Sequence, residues 1–91
     1  MGVPKKAMDT APVVSFELLV ASLVMQAQVG LGLMAMPGEE PQKDLAAAKY
    51  AIDLLGVLEE KTKGNLTLEE DRLLKNSLTE LRFRYLNQEA N

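Results

Sequence analysis

Acidic residues come nearest to a catalytic or metal-binding pattern in this chain. They occur as neighbours at Glu39-Glu40, Glu59-Glu60 and Glu69-Glu70-Asp71. Neighbouring side chains on a helix point about 100° apart, so these carboxylates do not converge as a catalytic dyad requires. Histidine and cysteine, which supply many general bases, nucleophiles and metal ligands, are both absent. We therefore predict that the protein is not an enzyme and that it uses neither a metal ion nor a cofactor.

Basic residues gather in the last third of the chain, where the run Leu81–Tyr85 interleaves arginines with aromatic side chains. This pattern could bind RNA, an acidic protein, or the acidic strip of Asp53 and Glu60 on a neighbouring subunit. The simpler interpretation is a solvated helix face whose cations complement the helix dipole. Because the net charge is −3, we expect no nucleic-acid footprint over the whole protein. The cationic candidates for partner contact are Arg72, Lys75, Arg82 and Arg84.

The turn before these cations carries the clearest structural signal. Thr67 and Glu70 have the spacing of a capping box, in which each side chain accepts a hydrogen bond from the backbone N–H of the other. Gly64, three residues earlier, can adopt the left-handed conformation that ends a helix. A helix end followed at once by a helix start predicts an antiparallel helical hairpin.

Two earlier N-caps predict the remaining helices. Ser15 precedes a helix over about 16–35, and Asp44 precedes one over about 45–63. The helix after Thr67 is predicted over about 68–88. Alternating apolar and polar runs, which would indicate strands, are missing. The fold class is therefore predicted to be all-α with three helices.

A single helical domain is predicted over residues 15–88. Residues 1–14 combine prolines, lysines and small residues without periodicity, which indicates a disordered arm, and residues 89–91 form a tail. The segment Met36–Pro41 contains two prolines and a glycine, so we predict a linker there.

The first helix is unusually apolar, since no charged residue occurs from Leu18 to Gly38. About 20 apolar residues suffice to cross a bilayer. Gln26 and Gln28 near the middle, together with glycines, favour instead a buried helix of a soluble protein. Two alternatives remain open: a membrane-associated protein anchored by a helix over residues 18–36, and a cleaved signal peptide.

The second helix carries more apolar surface than a three-helix monomer can bury. Its apolar arc covers roughly 240° of the circumference, whereas a surface helix shows an arc of about 100° or a little more. Large apolar patches are rare on monomers. We therefore predict a homodimeric helical bundle with the first two helices at its centre. The residues predicted to supply the association surface are Tyr50, Leu54, Val57, Leu73 and Phe83.

Five runs of the sequence carry a family resemblance: Ser15-Phe16, Ala51–Leu55, Glu60–Thr67, Glu69–Leu74 and Leu81–Tyr85. Together they resemble an uncharacterised bacterial family, the domain-of-unknown-function family numbered 1844. The resemblance extends over nearly all of the chain outside the two termini. The run from Lys61 to Thr67 is its most specific part.

The resemblance implies a small, cytoplasmic, all-helical bacterial protein with no established activity, so no catalytic residue is transferred. Where the family commonly has His-Leu-Gly, this chain has Gln28-Val29-Gly30, and no role of that histidine applies. Relatives in some bacteria are encoded beside translation genes, which implies an alternative function as an RNA- or ribosome-associated accessory protein. Our main prediction is a non-enzymatic, homo-oligomeric interaction module that binds itself and an unidentified protein partner.

Overall fold

The computed structural model describes residues 14–90, apart from the side chain of Ala90. Three helices form this part of the chain: α1 (Phe16–Gly30), α2 (Leu45–Lys61) and α3 (Leu68–Ala90). Residues 14–90 contain no strand, and the predicted all-α class with three helices is confirmed. The arm predicted for residues 1–14 lies, except for Val14, outside the described residues. α3 continues two residues beyond its predicted end.

Each helix begins at the cap that the sequence predicts. The Ser15 hydroxyl accepts the Leu18 N–H at 3.0 Å, and the Asp44 carboxylate accepts the Ala47 N–H at 3.1 Å. The capping box is complete, because the Thr67 N–H donates to the Glu70 carboxylate and the Glu70 N–H donates to the Thr67 hydroxyl. These bonds satisfy N–H groups that have no partner inside a helix.

The end of α1 corrects the sequence prediction of a helix to residue 35. The helix stops at Gly30, because Gly32 adopts a positive φ of 79°. The Gly32 N–H donates to the Val29 carbonyl and the Leu33 N–H to the Gln28 carbonyl, which is the hydrogen-bond pattern of a Schellman motif. The membrane anchor predicted over residues 18–36 is thus not one helix. Within residues 14–90, no helix combines the length and apolarity that crossing a membrane requires.

The contact between α1 and α2 is close because small residues meet there. A Cβ atom placed on Gly30 would lie 2.7 Å from the backbone nitrogen of Ala48. The Asp44 N–H donates to the Gly30 carbonyl at 2.7 Å, which ties the start of α2 to the end of α1. The backbones of the two helices are therefore in direct contact at this point.

The core lies between the three helices, and α3 contributes the apolar stripe that its sequence predicts. Leu74, Leu78 and Leu81 are buried, and Tyr85 packs against them while partly exposed. The Gln88 side-chain amide donates to the Leu31 carbonyl at 3.2 Å, which joins the end of α3 to the segment after α1. The buried core residues are Val20, Leu23, Ala27, Leu31, Ala48, Ala51, Ile52, Leu55, Leu74, Leu78 and Leu81.

Candidate interaction surface

An open groove of about 480 Å³ runs between the outer sides of α1 and α2. Ser22, Met25 and Val29 line it from α1, while Ala47 and Tyr50 line it from α2. These side chains point away from the core positions of their own helices. The groove is therefore a surface feature where two helices meet, and its walls are mostly apolar.

The groove belongs to a longer apolar surface, which we term the α1–α2 face. Residues three and four apart on a helix lie on one side of it, so Leu18 extends the groove along α1, and Leu54 and Val57 extend it along α2. The face repeats the helical spacing on both helices, at positions 18, 22, 25 and 29 and at positions 47, 50, 54 and 57. Its members are Leu18, Ser22, Met25, Val29, Ala47, Tyr50, Leu54 and Val57.

Much of the α1–α2 face is accessible to solvent. Leu18 is 42% exposed, Met25 48%, Tyr50 65% and Val57 53%. Leu54, which the sequence predicts to be part of the association surface, is partly buried and packs against the core. Leu54 thus links the face to the core, while Tyr50 and Val57 project from it.

Two polar side chains of the groove, those of Ser22 and Asp44, support the helices, and Gln26 and Gln42 also line it. The Ser22 hydroxyl donates to the Leu18 carbonyl at 2.9 Å within α1. Asp44, which supplies the carboxylate among the residues that line the groove, caps α2 by accepting a hydrogen bond from the Ala47 N–H. The groove offers packing surface rather than a nucleophile or a proton-transfer group. The described residues contain no group of three or more acidic side chains placed to hold a metal ion. That the protein uses no metal ion stays a prediction.

The predicted cations lie on α3, away from the α1–α2 groove, and two of them have neighbours of opposite charge. Lys75 is 3.2 Å from the Asp71 carboxylate, and Arg84 is 3.0 Å from that of Glu80. Exposed pairs of this kind contribute little to stability. Of the four predicted cations, Lys75 and Arg84 therefore lie beside a carboxylate. Arg72 and Arg82 form no ion pair within residues 14–90.

Arg82 occupies a second groove, of about 260 Å³, between α2 and α3. Its guanidinium lies beside Gly56, where a Cβ atom would be 3.3 Å from it. On the α2 side of this groove Lys49 donates to Asp53, four residues later in the helix, at 2.7 Å, and that hydrogen bond is the main reason why the pKa of Lys49 is raised. Partial desolvation, and then the neighbouring Glu89, raise the pKa of the Tyr85 phenol.

The two apolar candidates on α3 do not join the α1–α2 groove. Phe83 is 63% exposed and Leu73 is 37% exposed, and neither lines that groove. The sequence prediction grouped them with Tyr50 as one association surface. The structure instead gives α3 an exposed surface of its own.

Sequence reasoning left Leu18, Met25, Val29 and Ala47 out of the predicted association surface. A signal for three of them was present in the uncharged run that begins at Leu18. The sequence prediction places this helix at the centre of a dimer, but the apolar run does not show which of its side chains face away from the core of the single chain.

A family model described as Domain of unknown function (DUF1844) matches residues 13–87. The match includes α1, α2 and all of α3 except its last three residues. No curated protein and no solved structure gives a significant match to the chain.

Proposed function

Because the chain belongs to the DUF1844 family, as the resemblance predicted, and that family's description names no activity, we propose a function from the surface of the protein. The protein acts as a non-enzymatic interaction module that associates with a second copy of itself through the α1–α2 face. The observation that carries this proposal is a mostly apolar surface that extends over α1 and α2 and whose large apolar side chains are about half exposed in the single chain.

The free energy of burying this surface supports the proposal. Fully burying a Leu, Val or Met side chain contributes about 1.5–3 kcal/mol. Since Leu18, Met25 and Val57 are about half exposed, covering the rest of each contributes about 1 kcal/mol. In a symmetric dimer every residue of the face is buried twice, once on each copy.

In the proposed assembly, α2 and α3 form the antiparallel hairpin predicted from the turn. Contacts between the two helices support this arrangement. Lys49, near the start of α2, shares a groove with Tyr85 and Leu86, near the end of α3. Gly56, later in α2, lies beside Arg82, earlier in α3. The hairpin leaves the outer side of α2 available to the α1–α2 face.

Light scattering on the purified chain tests self-association. We expect the mass of a dimer, falling toward that of the monomer on dilution. The double substitution Met25→Glu with Val57→Glu places carboxylates on both helices of the face. We expect it to weaken the dimer by about 100-fold or more, because each apolar contact is lost twice. A monomeric mass for the wild-type chain at high concentration would overturn the proposal.

A matched control is the double substitution Leu73→Glu with Phe83→Glu on α3. It adds the same charge at two exposed apolar positions, but neither position lines the α1–α2 groove. We expect this variant to keep the mass of the dimer. Circular dichroism on both variants establishes that the helices are intact. Equal loss of mass in the two variants would count against a specific α1–α2 interface.

A further inference from the structure

The exposed side of α3 carries a second surface, which we term the α3 stripe. Its residues follow the spacing 4-3-4-3-4, which places them in one row along a helix. All six are exposed, and none of them is acidic. The row contains Leu68, Arg72, Lys75, Thr79, Arg82 and Leu86.

We propose that the α3 stripe docks an acidic, amphipathic helix of a partner protein. The stripe is positively charged although the whole chain has a net charge of −3, so its charge complements an acidic partner. This surface is distinct from the α1–α2 face, and the two can be occupied at the same time.

Two arginines of the stripe are available for such a partner. Within residues 14–90, Arg72 and Arg82 form no ion pair, whereas Lys75 is engaged by Asp71. Arg72 and Arg82 are ten residues apart, which corresponds to about 15 Å along the helix axis. A partner helix with carboxylates about three turns apart can reach both arginines at once.

Apolar side chains flank these arginines. They favour a protein as the binding partner, because a simple polyanion has no apolar side chains to cover them. Leu68 is 65% exposed at the start of the stripe and Leu86 is 62% exposed at its end, and Phe83 is 63% exposed next to Arg82. The apolar residues of a partner helix can cover these side chains, as in helix-in-groove recognition.

The α2–α3 groove extends the stripe into a concave site. Arg82 and Leu86 belong to both, and the groove volume of about 260 Å³ can receive an apolar side chain of the partner. Asp53 is the acidic residue that lines this groove, and it forms an ion pair with Lys49 at 2.7 Å. Repulsion of an acidic partner is thus reduced where the partner would approach Arg82.

Fluorescence anisotropy with a labelled synthetic helix of Glu, Leu and Ala, bearing Glu and Leu on one face, tests the proposal on the full chain. We expect saturable binding that weakens as salt rises, and no binding of the matched peptide with Lys in place of Glu. The double substitution Arg72→Glu with Arg82→Glu should lower the affinity about tenfold, because both attractions become repulsions.

The control Lys43→Glu with Lys63→Glu makes the same change in net charge at exposed positions outside the stripe, and we expect it to bind the acidic peptide normally. Light scattering should give the arginine variant the mass of the wild-type chain, so loss of peptide binding is separable from loss of self-association. The proposal is overturned by equal binding of both peptides, or by an unchanged affinity in the arginine variant. It is also overturned if poly-uridine or phosphatidylglycerol vesicles bind through the arginines while the acidic peptide does not.

Discussion

Replacing Gly30 by alanine tests whether close backbone contact between α1 and α2 controls the stability of the fold. An added Cβ atom would lie 2.7 Å from the Ala48 nitrogen and 2.9 Å from both the Ala48 Cα and the Asp44 carbonyl oxygen. All three are backbone atoms, which cannot rotate out of the way as the end of a side chain can. The two helices must therefore move apart to accept the methyl group.

Two opposing effects decide the size of the change. Alanine is favoured over glycine within a helix by up to about 1 kcal/mol. Overpacking a close contact costs about 1–3 kcal/mol, and separation also strains the 2.7 Å hydrogen bond between Asp44 and Gly30, which contributes about 1 kcal/mol. We expect Gly30→Ala to lower the free energy of unfolding by about 1–3 kcal/mol, because the steric cost exceeds the helical preference.

Gly56→Ala is the matched control, because Gly56 also lies in a helix. The nearest atom to its added Cβ is the Arg82 guanidinium at 3.3 Å, which can move at little cost. We expect this variant to be as stable as the wild-type chain or more stable by up to about 1 kcal/mol. Urea denaturation followed by circular dichroism, at a fixed protein concentration, measures both variants. A Gly30→Ala chain as stable as the Gly56→Ala chain would refute the reasoning.

Two further measurements test smaller features. Thr67→Ala removes one half of the capping box and should destabilise the fold by about 1 kcal/mol, as measured by urea denaturation; no change would mean that the turn holds α3 without the cap. In a Tyr50→Phe chain, ultraviolet titration reports Tyr85 alone, whose pKa is raised by desolvation and Glu89. We expect its midpoint above the ordinary value of about 10, and the associated stability should be present below that pH and lost as pH rises through the midpoint. A midpoint at or below the ordinary value would contradict this.

The prediction of the helices succeeded where the deciding interactions are local. Ser15, Asp44 and Thr67 each bond to an N–H three residues ahead, so the sequence contains both partners within one turn. The end of α1 was predicted five residues too late. The prediction followed the apolar run past Gly32, whereas the positive φ of that glycine ends the helix.

The candidate surfaces were predicted only in part. The excess of apolar residues on α2 was visible from helical periodicity, and Tyr50 and Val57 are exposed as expected. The sequence placed α1 at the centre of the predicted dimer but did not assign Leu18 and Met25 to the association surface, because a continuous apolar run does not reveal which of its sides faces the core.

What the sequence determined by itself is therefore the number of helices, where each begins and which stripe of α3 is buried, because these depend on residues within a few turns of one another. Only the tertiary structure decided that Gly30 contacts the backbone of α2, whereas Gly56 lies beside the Arg82 guanidinium. It also decided that α1 and α2 share an exposed groove. These features depend on which residues meet across distant parts of the chain, and that is set by the packing of whole helices.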